Sequence, residues 1–276
     1  MSDQTSSNRR AILRTGVASV AALTAAGPKA FAETPDVLLN KPAGETRVLF
    51  LGGDNLHNFL AQEPALRSIA ETAGWKFYSL HDARYITPPL LATVDLLMIE
   101  RWTGGQPGYV PGPIQTKAGT SDGYMSPELE NAIVDNVANR GMGYISVHCG
   151  IWALTEPKYL SMLGIKPIIH GPLQMVRCQH FNQNHPISRG VEPFEIAMDE
   201  NFGVEIVDPR VTPLYETFGL SDKRQDYGGW CTEKNKGRVV GLVAGHTYFA
   251  FQHPVYKRLF RRSMYWALKK EIPAEA

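Results

Sequence analysis

Apolar residues fall in two rhythms along this chain: short unbroken runs, and stretches where they recur every third or fourth position. Arg47 to Leu51 (RVLFL) is a run of the first kind, as expected of a strand buried on both faces. It ends in Gly52-Gly53. The second rhythm follows and predicts a helix with Pro64 in its first turn, Leu66, Ile69 and Ala70 on its apolar face, and Gly74 as its stop. Trp75 to Leu80 and Asp95 to Ile99 read as the next two strands. Ser126 and Pro127 then mark the start of a helix with Leu129, Ile133 and Val137 on one face, and Gly141 ends it. Tyr144 to Val147 is a fourth strand, Arg238 to Ala244 (RVVGLVA) a later buried one. Tyr256, Leu259, Phe260, Ser263 and Ala267 line a closing helix.

Strands alternating with helices imply right-handed crossovers, hence an α/β fold of three layers, a mostly parallel central sheet with helices on both faces. Two regions depart from this rhythm. Arg101 to Met125 is rich in glycine and proline without periodicity, and reads either as a functional loop or as an unstructured insertion. Ile165 to Thr217 breaks into short, proline-interrupted runs, which predicts added antiparallel strands or an excursion from the sheet.

The N-terminus carries a different signal. Asn8 to Arg14 (NRRAILR), the uncharged stretch Thr15 to Ala26 and Ala30-Phe31-Ala32 have the order of an export peptide with a twin arginine, which predicts a Tat-type signal over 1–32, cleavage after Ala32 and a periplasmic or secreted product. Residues 33–45 then read as a linker and 46–270 as one domain. Removing 1–32 leaves 24 basic and 26 acidic residues, a net charge of −2. That balance makes no basic face for nucleic acid, and no second apolar stretch reaches the roughly 20 residues of a membrane helix. The cysteines, Cys149, Cys178 and Cys231, are odd in number and widely spaced, unlike a disulfide framework.

Ligands of parallel sheets sit outside the carboxyl ends of the strands. That rule selects Asp54, Asn55 and His57 after the first strand, Glu100 and Arg101 after the third, His148 and Cys149 after the fourth, and His246 after the last long one.

With these residues in place a resemblance becomes specific. Gly52-Gly53 with His57, the GYISVHCG turn, His170-Gly171-Pro172, His185-Pro186-Ile187 with Arg189-Gly190, Asp199-Glu200, and Trp230 followed by Lys236-Gly237-Arg238-Val239 and Gly245-His246 together resemble the ThuA, or trehalose-utilisation, family. That family is similar in fold to class I glutamine amidotransferases. Their elbow reads G-x-C-x-G, whereas this turn is Ser146-Val147-His148-Cys149-Gly150, so His148 takes the nucleophile position. Cys149, one residue later, reads as packing.

His246 falls where the amidotransferase histidine would be. Two imidazoles lack the thiolate that attacks an amide, so glutamine hydrolysis is not expected. Two uses remain open: ligation of a divalent metal such as zinc or manganese by His148 and His246 with His57 and Glu200, His170 and His185 being further candidates, or proton transfer near neutral pH. No nucleotide cofactor is indicated.

The resemblance implies carbohydrate utilisation, with a 3-keto glycoside or related sugar as substrate. Glu200 would move a proton, and Asp54, Asn55, His170, Trp230 and Arg101 would bind the sugar, Trp230 as an apolar platform unless it is core. The rival expectation is a non-catalytic periplasmic sugar-binding protein on the same fold. Homo-oligomers are compatible with either.

Overall fold

The computed structural model describes residues 36–54, 56–57, 59–102, 127–152 and 157–274. The segment expected to be an export signal, Asn55, the expected Ser126 cap and most of the long glycine- and proline-rich stretch lie outside them. The elements in chain order are α1 (Asp36–Leu39), β1 (Arg47–Leu51), α2 (Phe59–Thr72), β2 (Lys76–Leu80), α3 (Pro88–Leu91), β3 (Leu96–Ile99) and α4 (Pro127–Asp135). They continue with β4 (Gly143–Val147), α5 (Pro157–Leu163), β5 (Ile165–Ile169), β6 (Leu173–Gln179), β7 (Phe194–Glu200) and β8 (Gly203–Ile206). The chain closes with β9 (Thr212–Gly219), β10 (Gln225–Lys234), β11 (Gly237–Leu242), α6 (Tyr248–Gln252) and α7 (Pro254–Ala267).

Nine strands form one sheet in the order β2-β1-β3-β4-β11-β10-β9-β6-β7. The first five are mutually parallel, as expected. The remaining four are antiparallel, which accounts for the broken rhythm after Ile165, while β5 and β8 make a separate two-stranded ribbon. Within β1 the side chains alternate between two cores. Val48 and Phe50 pack with Leu66 and Ala70 of α2 and Leu259 and Phe260 of α7, whereas Leu49 and Leu51 pack with Leu129 and Ile133 of α4. Both faces of these strands are therefore dry, which is why their sequences run apolar without alternation.

Two expectations need correction. Helix α2 begins at Phe59, so Pro64 lies in its interior rather than its first turn. Its nitrogen cannot donate four residues back and its ring crowds the carbonyl there, and the apolar stripe of Phe59, Leu66, Ile69 and Ala70 carries the helix across it. Its end is as read: Gly74, at φ 75°, donates to the Glu71 carbonyl and Trp75 to that of Ala70, the paired bonds of a left-handed helix stop. The linker, secondly, is docked, since α1 lies within it and Leu38 is buried in the second core.

The antiparallel half does not continue flat. Strand β7 stands five positions from β4, about 24 Å at the usual strand spacing. Yet Glu200 at the end of β7 lies 3.3 Å from His148 at the end of β4. The sheet curls until its far edge closes over the carboxyl ends of its parallel strands.

Candidate active site

Three strand ends each supply a histidine. After β1 the chain turns at Gly53, whose φ of 96° and backbone approach to His81, where a Cβ would sit 2.1 Å from the carbonyl oxygen, admit only glycine. Asp54 organises the turn. Its carboxylate accepts the backbone N–H groups of Leu56 (2.8 Å), His57 (3.1 Å) and Trp102 (2.8 Å), and meets Nδ1 of His57 at 2.8 Å. Burial pushes this carboxyl up, but the hydrogen bond and charge of His57 with the backbone donors hold it below the usual range. Asp54 was expected to touch substrate; its side chain, 6% exposed, instead aims His57.

His148 follows β4 directly, at φ 45°. Non-glycine residues enter the left-handed region at a cost of about 1–2 kcal/mol, and here the neighbours enforce it. A Cβ at Gly150 would sit 2.2 Å from the Ile99 carbonyl oxygen, and one at Gly245 would sit 3.2 Å from the Cβ of His148. Nδ1 of the fully buried His148 lies 2.8 Å from the Val243 carbonyl, so it carries the proton and donates, leaving Nε2 as the open nitrogen. Burial, against the pull of Glu200, brings its pKa down to about 4, which keeps the ring neutral. Cys149 is buried with its sulfur 3.6 Å from Nδ1 of His57, and burial among carboxylates raises its thiol well above the ordinary value. It is a packed thiol.

His246 is set by Asp199, whose carboxylate accepts the N–H groups of Gly245 (2.9 Å), His246 (3.1 Å) and Glu200 (2.8 Å). One side chain thus ties β7 to the end of β11. Burial raises Asp199 to about 7 against those three donors.

The three rings form a nearly regular triangle. Their centroids are 5.0 Å (His57 to His148), 4.9 Å (His57 to His246) and 5.2 Å (His148 to His246) apart, at interplanar angles of 73–75°. One nitrogen from each lies within 4.8 Å of the others. Metal-binding histidines usually pass their other ring nitrogen to a carboxylate or carbonyl, as Asp54 and Val243 provide here. The donor set therefore fits a divalent cation favouring imidazole, with three protein ligands and an open position.

Glu200 borders the triangle. Its Oε2 lies 3.3 Å from Nε2 of His148, 3.1 Å from Nδ1 of His246 and 2.9 Å from Nε2 of His170. Burial disfavours its charge, but the three histidines outweigh that and hold its pKa far below the ordinary value. Burial lowers His246, and contact with the Glu200 carboxylate reverses this to a net rise. His170, at the mouth of the site, packs against Phe202, which stacks on His148 at 4.3 Å.

Other sequence candidates have different roles. Trp230 is fully buried: its Nε1 donates to the Leu163 carbonyl at 3.2 Å, and its ring fills the space over Gly241, so it is core and not a sugar platform. Arg101 is also buried, and its Nη1 donates to the carbonyls of Gly52 (2.9 Å) and His81 (2.8 Å), joining two strand-end loops instead of facing a ligand. His185 sits in its own turn, accepting the Ile187 N–H at 3.3 Å, and is not among the converging histidines.

Sequence reasoning missed Gln62, which donates to the Gly245 carbonyl at 2.6 Å from the apolar face of α2. A glutamine in register with Phe59, Leu66 and Ile69 was the available signal. Glu100 is fully buried, and burial with the nearby Asp54 and Asp199 charges raises its pKa well above the ordinary value.

Comparison with known proteins points one way. Residues 47–267 match the family model ThuA, described as trehalose utilisation. Among solved structures, a ThuA-like protein from Parabacteroides merdae is 15% identical, with a TM-score of 0.62 over 83% of this chain and 94% of that one. A ThuA-like protein from Bacteroides uniformis is 12% identical, with a TM-score of 0.60 over 88% and 95%. A β-galactosidase from Rahnella aligns with a TM-score of 0.53 and 10% identity over 82% of this chain but 32% of its own. These likenesses show the fold. A search of curated protein sequences found no match.

Proposed function

Because the chain belongs to the ThuA, or trehalose-utilisation, family, we propose that it is a carbohydrate-utilisation enzyme cleaving the glycosidic bond of an oxidised, 3-keto sugar. The triangle of His57, His148 and His246, backed by Asp54 and the Val243 carbonyl and edged by Glu200, supports this reading. Those three imidazoles would hold a divalent metal. When bound, it supplies a Lewis acid for the ketone oxygen of the sugar.

A ketone at C3 acidifies the hydrogen on C2. Glu200, whose Oε2 borders the triangle and meets His170, is placed to take that proton. The electron pair released at C2 forms the C1–C2 double bond as the C1–oxygen bond breaks. The departing oxygen needs a proton, which His170 supplies from the mouth of the site. Its 2.9 Å contact with Oε2 lets Glu200 return the abstracted proton to His170, so both groups end as they began. The buried His148 and its aromatic wall of Phe202 and Trp152 keep bulk water away from the developing charge.

The test is to purify the protein, measure its bound metal and assay 3-keto-trehalose cleavage with the wild type, His148→Ala and His246→Ala. Metal should accompany the wild type, and each variant should lose both metal and turnover. Preparations free of metal, together with variants as active as the wild type, would overturn the proposal.

A further inference from the structure

A concavity lies beside the histidine triangle. It is a cleft of about 450 Å³ at the carboxyl end of β2, lined by Gly53, Ser79, His81, Asp82, Arg84 and Tyr85 among others. That volume falls in the range of small-molecule sites. Its position is as informative as its size. Strand β2 is the neighbour of β1, so the cleft lies about 4.8 Å to one side of the loop that carries His57. Gly53 belongs to both, and the Phe59 ring stands between them, 6.0 Å from the His57 ring and 6.2 Å from the His81 ring.

The chemistry of the lining narrows the occupant. Arg84 meets Asp82 with two nitrogens on two oxygens, Nε lying 3.0 Å from Oδ1 and Nη2 2.5 Å from Oδ2. His81 faces the Glu63 carboxylate at 3.4 Å. Each basic group on the wall is matched by an acid, so the cleft offers no net charge to an anion. It offers instead planar donors and acceptors side by side, with the ring of Tyr85, 38% exposed, next to them. A pyranose ring needs that mixture: hydroxyls that both donate and accept, and a C–H face that packs on an aromatic ring.

Among the described residues the opposite rim, beside His170, is more apolar. Leu173 pairs with Glu200 across β6 and β7, and Leu173, Met198 and Tyr248 expose 46%, 44% and 42% of their surface there.

We propose that the cleft at the end of β2 is the subsite for the second, departing ring of a neutral two-ring glycoside. This rests on the function proposed above. The ketone-bearing ring lies over the triangle, its anomeric bond crosses the Gly53 turn, and the leaving sugar sits on Tyr85 with its hydroxyls on Arg84, Asp82 and His81. The enzyme thereby distinguishes a disaccharide from a glycoside with a small alkyl group.

The experiment compares 3-keto-trehalose with the one-ring methyl 3-keto-α-glucoside on the wild type, Tyr85→Ala and Arg84→Ala. Loss of contacts to one ring should lower kcat/KM for the disaccharide by about tenfold and leave the methyl glycoside unchanged. Equal losses on both substrates, or no loss on either, would overturn the subsite. If the wild type turns over neither, the function proposed above fails, and trehalose binding followed by saturation-transfer NMR then decides the cleft. Weaker transfer to trehalose in Tyr85→Ala than in the wild type supports it, and equal transfer refutes it.

Discussion

Replacing Asp54 with asparagine probes the triangle without touching a proposed ligand. The carboxylate accepts three backbone N–H groups and faces Nδ1 of His57 at 2.8 Å, leaving Nε2 as the ring nitrogen free of it. Asparagine keeps the shape and one acceptor oxygen but places an NH₂ where an acceptor stood, and it removes the negative charge that makes His57 a better donor to a metal. Outer partners of this kind are worth about 10–100-fold in metal affinity, or about 1.4–2.7 kcal/mol.

Affinity for Zn²⁺ measured by chelator competition should fall by that factor, with His57 still in place. The pH dependence has a definite sign as well. A carboxyl whose folded pKa is depressed stabilises the fold above its unfolded value near 4, and that stability disappears as the pH falls through the folded pKa. Asp54→Asn should therefore lose more stability against the wild type at pH 7 than at pH 3. An unchanged zinc affinity would refute the idea that Asp54 orients a metal ligand, and with it the assignment of His57.

Two further outcomes separate packing from chemistry. Cys149→Ser should retain turnover, and iodoacetamide should inactivate the wild type no faster than the variant, because the thiol is buried and its pKa raised; rapid inactivation restricted to the wild type would restore the cysteine as a reactive group. Glu100→Gln should raise stability at pH 7 relative to pH 4, measured by denaturant unfolding. A carboxyl with a raised folded pKa binds more protons in the native state, so it costs stability as the pH rises above its unfolded value, and the amide removes that cost. A variant less stable at pH 7 than the wild type would show that Glu100 is charged and paired.

What the sequence disclosed follows from which forces act locally. The parallel strands announce themselves because both faces are buried, and Gly74 and Gly141 mark helix ends because φ of 75° and 90° suits no side chain well. His148 and His246 were legible as strand-end residues. Glu200 was not legible from spacing alone, since it reaches the triangle only through the curl of the antiparallel half, a property of nine strands together. Trp230 and Arg101 misled for a related reason. Trp230, named from the resemblance, lies inside β10 and fills the core above Gly241, whereas Arg101 follows β3 and spans two loops, and neither orientation is visible in the sequence.

The turn at His148 divides its duties among neighbours. Its shape is dictated by Gly150, which has no room beside the Ile99 carbonyl, and by Gly245, which clears the Cβ of His148. The backbone asks of the residue itself a φ of 45°, and of its ring one hydrogen bond to the Val243 carbonyl. Position 148 is thus a socket: whatever residue tolerates that dihedral is delivered to the same point, facing the end of β11. A fold built this way can exchange one reactive group for another by a single substitution, and can diverge in chemistry while its core residues stay under unchanged selection for packing.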